Sequence, residues 1–157
     1  MGSVILTVIT AAKSDIKSSM PWHAWVIGLL LFLFGLASVF DYIMSISQGE
    51  EFYRASGMTE TQVIYFSSFP LWTITAWTMT VWGGLLGSIA LLLRSRFSSV
   101  LFGVALLGNI LYDIYVYVLS AGIEAMGVLW FMPLIVTVIT AVVIPYASKL
   151  AKNKLID

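Results

Sequence analysis

Four stretches of this chain, 22–47, 70–93, 97–120 and 125–148, each exceed 20 residues, and their only Asp, Glu, Lys or Arg residues are Asp41 in the first and Asp113 in the third. A helix needs about 20 mostly apolar residues to cross a hydrocarbon core of about 30 Å. A bilayer-crossing strand is about 10 residues long and alternates apolar with polar side chains. These runs are twice that length and do not alternate. The pattern predicts an all-α membrane protein, a four-transmembrane-helix bundle surrounded by lipid. Composition agrees: 60% of the 157 residues are hydrophobic and 10% are charged, whereas a soluble domain carries about 25% charged residues. That is too little charge to cover a water-facing surface. It argues against a soluble enzyme and against a nucleic-acid partner. With no cysteine, thiolate metal sites, disulfides and cysteine nucleophiles are excluded.

The net charge of zero hides a sorted distribution. Lys13 and Lys17 precede the first run, Arg94 and Arg96 link the second to the third, and Lys149, Lys152 and Lys154 follow the fourth. Arg54 is the one base in the 48–69 loop. Because cytoplasmic loops collect Lys and Arg, this predicts both termini in the cytoplasm. Six of the eight acids, Asp41, Glu50, Glu51, Glu60, Asp113 and Glu124, then fall in the outer half or beyond it. Residues 1–20 include an apolar stretch too short to span, read as a cytoplasmic or interfacial segment, with Met20 as an alternative start. Residues 149–157 form a cytoplasmic tail. In the outer loop, Thr59 and Gln62 have the spacing of a capping box, which predicts a short surface helix before Pro70 opens the second span.

The two acids inside spans carry the main functional signal, because intramembrane acids are costly and turn toward a bundle interior or a cavity. At a rise of 1.5 Å per residue, Asp41 stands roughly 28 Å from Trp22 and Asp113 roughly 26 Å from Arg96, at matching depths. At helical spacing Asp41 shares a stripe with Ala37, Ser38, Ser45 and Gln48, and Asp113 with Ala105, Asn109, Tyr117 and Ser120. Asp41, Asp113, Asn109, Tyr112, Tyr117 and Glu124 are therefore the candidate ligands for a proton, a cation or a small polar solute. The competing reading is that both acids reach the outer interface and only hold the fold together. His23 has no second ligand at its level, and neither a metal nor a cofactor is expected.

In the second run, Gly83-x3-Gly87 and Gly84-x3-Ser88 are small-residue pairs that let helix backbones approach. Trp77 and Trp82 lie mid-run, away from both ends. In the fourth, Pro133 and Pro145 can open the backbone ladder, with Thr137 and Thr140 nearby. A parallel repeat is also readable: Leu33-Phe34-Gly35 to Phe40-Asp41 aligns with Leu106-Leu107-Gly108 to Tyr112-Asp113 across one gap. It would set the two acids about a pseudo-twofold axis.

Pro21-Trp22-His23-Ala24-Trp25-Val26, the Phe40-Asp41-Tyr42 step, Phe69-Pro70-Leu71-Trp72, Val81-Trp82-Gly83-Gly84-Leu85-Leu86-Gly87 and Leu92-Leu93-Arg94-Ser95-Arg96 together resemble a family of small four-helix bacterial inner-membrane proteins catalogued as "sugar transporter". The resemblance runs over 21–146 and implies a bacterial inner membrane. The sequence expectation is a transporter or channel-like protein working as a homo-oligomer. The alternative is a non-transporting accessory protein that binds a membrane partner. No nucleophile–base pair or phosphate loop marks an enzyme.

Overall fold

The computed structural model describes residues 20–153, 155 and 156. The expectations for 1–19, and for Lys154, lie outside the described residues. Most of those described are helical, with no strand among them: α1 (Trp22–Gln48), α2 (Glu50–Ala55), α3 (Glu60–Ser67), α4 (Leu71–Leu92), α5 (Ser98–Ile114), α6 (Gly122–Met126) and α7 (Met132–Lys152). A π-helical turn, Tyr115–Leu119, continues α5, and a 3-10 turn, Gly127–Leu129, follows α6. Four segments, Trp22–Gln48, Leu71–Leu92, Ser98–Leu119 and Met132–Lys152, are long and apolar enough to cross a membrane.

Local chemistry sets the breaks. Gly49 has φ of 56° and separates α1 from α2, a conformation glycine adopts without the Cβ penalty. Gly127 takes the same φ of 56° and ends α6, so the fourth long helix begins at Met132 and not at 125. Pro133 falls in its first turn, where the absent N–H has no carbonyl to miss. Of the two prolines expected to open the ladder, only Pro145 lies inside the helix.

The long helices pack in sequence order, α1 on α4, α4 on α5 and α5 on α7. Glycine makes the first two contacts close. A Cβ on Gly83 would stand 2.9 Å from the Ala105 nitrogen, one on Gly108 2.5 Å from the Ala76 oxygen, and one on Gly87 2.9 Å from the Phe102 ring. On α1, a Cβ on Gly35 would meet the Leu85 Cα at 3.1 Å. Gly35 and Gly108, the matching glycines of the apparent repeat, thus both press on α4. In a true twofold pair Gly108 would press on α7, so the packing does not keep the repeat.

α1 and α7 approach each other at one end only. There Met20, Ala24, Leu91, Phe102, Val143, Ala147, Leu150 and Ile156 form a buried cluster, and the His23 and Tyr146 rings lie 6.0 Å apart. Arg94 donates from Nε and Nη2 to the Leu155 carbonyl at 3.0 and 2.8 Å, tying the tail to the α4–α5 link. Both ends of the described chain therefore meet at the end that carries Arg94, Arg96, Lys149 and Lys152.

The opposite end is built from α2, α3 and α6. Gln62 N donates to Thr59 Oγ1 at 3.4 Å and Thr59 N to Gln62 Oε1 at 3.0 Å, completing the capping box before α3. Arg54 bridges Glu50 at 2.9 Å and Glu60 at 3.1 Å, and its guanidinium holds the Glu60 carboxyl below the ordinary carboxylate range. Beneath them Tyr65, Phe69, Trp72, Tyr112 and Tyr115 form an aromatic cluster with ring centroids 5.3–6.3 Å apart. The Tyr65 hydroxyl and Ser120 Oγ are hydrogen-bonded at 2.8 Å.

Candidate functional site

The row of four helices curves without closing, and between α1 and α7 it leaves a cleft of about 840 Å³. The buried cluster of Ala24, Val143 and Ala147 closes the basic end, while Tyr53, Met58, Phe66, Phe69 and Met126 line the far end. Along the open side the lining is exposed: Leu30 by 61% and Phe34 by 56% on α1, Ile139 by 47% on α7. Most of the wall is apolar or aromatic. A volume of 300–1,000 Å³ with an apolar lining and a few placed polar groups is the usual form of a small-molecule site.

The structure divides the predicted residues. Asp41, Asn109 and Tyr112 line the cleft. Ala37, Ser38 and Ser45 of the Asp41 stripe line it as well, as the 3.6-residue period requires. Asp113, Tyr117 and Glu124 are not part of the lining. Asp113 Oδ2 accepts from Thr137 Oγ1 of α7 at 2.7 Å, and its Oδ1 is buried without a hydrogen-bond partner among the described residues. The Tyr117 hydroxyl donates to the Trp130 carbonyl. Glu124 stands exposed on α6. The Asp113 stripe is thus a polar seam between α5 and α7, to which Asn109 adds a bond from Nδ2 to Thr140 Oγ1 at 3.2 Å. Threonine 137 supplies the described contact to this carboxyl, so Thr137→Val should lower the unfolding free energy by about 1 kcal/mol, the scale of interhelical hydrogen bonds in membranes. Denaturation in mixed micelles would measure it.

The expected packing set divides too. Gly83 and Gly87 hold α4 against α5, and Ser88 is fully buried with its hydroxyl on the Leu85 carbonyl at 2.7 Å. Gly84 packs against nothing: a Cβ there would meet no atom within 4 Å, and the residue faces the cleft. Trp77 also lines the cleft, edge-on to Tyr42 at 5.1 Å, and the Tyr42 hydroxyl bonds Thr78 Oγ1 at 2.8 Å. Trp82 is exposed and lies outside the cleft lining.

Most hydroxyls and amides of the wall are already committed. Ser38 donates to Phe34 O at 2.9 Å, Thr80 to Ala76 O at 3.2 Å and Thr140 to Val136 O at 2.8 Å. Asp41 differs: it is exposed, lines the cleft, and has no hydrogen bond or ion pair among the described residues. Tyr53, from the far end of the cleft, is near enough to feel it. Burial pushes the Tyr53 hydroxyl above the ordinary phenol range, the Asp41 charge adds to that, and a hydrogen bond with Ser45 opposes it. Sequence reasoning missed Tyr53, whose only signal was an aromatic residue in a polar loop. Among the described residues no group of three or more His, Cys, Asp or Glu side chains is gathered as a metal centre would need.

The fold and this cleft define the class: an all-helical bundle with four helices able to span a membrane and a side-opening, mostly apolar site. Compared with protein families, curated proteins and solved structures, the chain matches none.

Proposed function

We propose that the protein is a small transport protein of the bacterial inner membrane that binds its solute in the α1–α7 cleft, with Asp41 as the anchor. One observation carries this reading: a carboxylate on a mostly apolar wall of an 840 Å³ cleft has no hydrogen-bond or ion-pair partner among the described residues to offset its charge. An acid in a spanning helix is expensive unless it faces a cavity or finds a counter-charge. The solute then supplies what the fold withholds, as a cation, a proton or a hydrogen-bond donor. The sorted bases support an orientation with both termini cytoplasmic, which puts Asp41 toward the outer face. Four helices that curve without closing also favour a homo-oligomer, since two copies meeting across the open side would enclose the solute between them. The resemblance to catalogued transporters points the same way.

Reconstituted proteoliposomes on a solid-supported membrane test it. Pulses of protons, sodium, potassium and organic ammonium ions should evoke a transient current for at least one solute, and that current should vanish in Asp41→Asn. Silence across the panel, or a current indifferent to Asp41, would refute transport through this cleft.

A further inference from the structure

Resting on that reading, we propose that the solute class is a lipophilic organic cation: an ammonium or phosphonium centre carrying apolar or aromatic groups. Three features of the cleft lead there by elimination. The first is the state of its polar groups. Ser38, Thr80, Asn109 and Thr140 are each bonded within the fold. A sugar or other polyol would bury several hydroxyl oxygens against a wall whose own hydroxyl protons are mostly already donated, at about 1–3 kcal/mol for each bond unmade. That counts against the solute named by the catalogued family.

The second is that Asp41 is the one acidic residue in the cleft lining. A hard metal cation takes six or more oxygens, or keeps its waters. Besides Asp41, this part of the cleft offers it the hydroxyls of Ser38, Ser45 and Tyr53, short of that number and already hydrogen-bonded within the fold. An organic cation needs no such shell, because its own substituents meet the apolar wall while one carboxylate answers its charge.

The third is charge and aromatic surface together. Arg54, the one base in the 48–69 loop, is engaged by Glu50 and Glu60, so no described base competes for Asp41. Trp77, fixed by Tyr42, and Phe34 and Phe69 bring rings to the same cleft. Aromatic faces attract cations, most strongly where water is excluded. The volume of about 840 Å³ is room for a drug-sized molecule. An anion of equal size would meet the same apolar wall and be repelled by Asp41.

Tetraphenylphosphonium and tetraphenylborate, matched in shape and opposite in charge, are the probes. Equilibrium dialysis of the full-length protein in detergent should show the phosphonium bound at least about tenfold more tightly than the borate, a difference of about 1.4 kcal/mol. Asp41→Asn should weaken phosphonium binding by about the same factor, and Asp41→Glu should restore it. Gly84→Leu, which fills the cleft without touching the carboxylate, should abolish binding of both ions. Equal affinity for the two ions, or phosphonium binding unchanged in both Asp41→Asn and Gly84→Leu, would overturn the proposal. Asp41-dependent currents with inorganic ions and no phosphonium binding would refute the solute class and leave transport standing. Asp41-dependent phosphonium binding with no current for any solute would do the reverse.

Discussion

Gly83→Leu should destabilise the bundle by about 3 kcal/mol, the upper range for overpacking a tight core, while Gly84→Leu, one residue along, should leave its stability unchanged or raised. The two glycines are neighbours in sequence and opposites in space. A Cβ on Gly83 meets backbone atoms of α5, 2.9 Å from the Ala105 nitrogen and 3.1 Å from the Leu101 oxygen. Backbone cannot rotate aside, so α4 and α5 must separate. A side chain on Gly84 enters the cleft with nothing within 4 Å of its Cβ, and removing glycine from a helix favours the helix by up to about 1 kcal/mol. Tryptophan fluorescence during denaturation would read both. Equal loss of stability in the two variants would mean that the cleft beside Gly84 is closed in the bilayer.

The second large effect is expected at Asp41. Replacing the carboxylate with an amide of the same shape removes the charge and keeps the volume, so Asp41→Asn should fold normally and lose the solute-evoked current. Asp113→Asn should keep it. Asp113 faces Thr137 across the α5–α7 seam, at 2.7 Å from its hydroxyl, and an asparagine oxygen can accept the same bond. By sequence alone the two acids were equivalent: both interrupt an apolar run at similar depth and both sit on a small or polar stripe. Their difference lies in which neighbour each stripe meets.

That difference marks where sequence legibility ends. The four long apolar helices, the α3 capping box and the cleft-facing stripe of Asp41 were readable because each depends on local composition or on the 3.6-residue period. The Asp113 stripe was equally periodic, but periodicity cannot say whether a polar face meets water, a cavity or another helix. Threonines 137 and 140, noted for proline repair, proved to be the partners of Asp113 and Asn109. The late start of α7 followed from the positive φ of Gly127, which no apolar count reveals. Gly28 and Gly35, seven residues apart, seat α1 on α4. Their seven-residue spacing is not the four-residue spacing of the pairs Gly83–Gly87 and Gly84–Ser88, so sequence does not mark them as a packing face. The open side between α1 and α7 is a property of helix order and contact, and sequence carries no direct mark of it.

Carbodiimide labelling tests the central claim most directly, because it needs no knowledge of the solute. Dicyclohexylcarbodiimide dissolves in lipid and modifies protonated carboxyls that an apolar path can reach. After brief treatment of the protein in liposomes, peptide mass spectrometry should find Asp41 modified ahead of Asp113, and Gly84→Leu should slow that modification. Asp113 reacting first, or both at one rate indifferent to Gly84→Leu, would contradict an open cleft with Asp41 as its anchor.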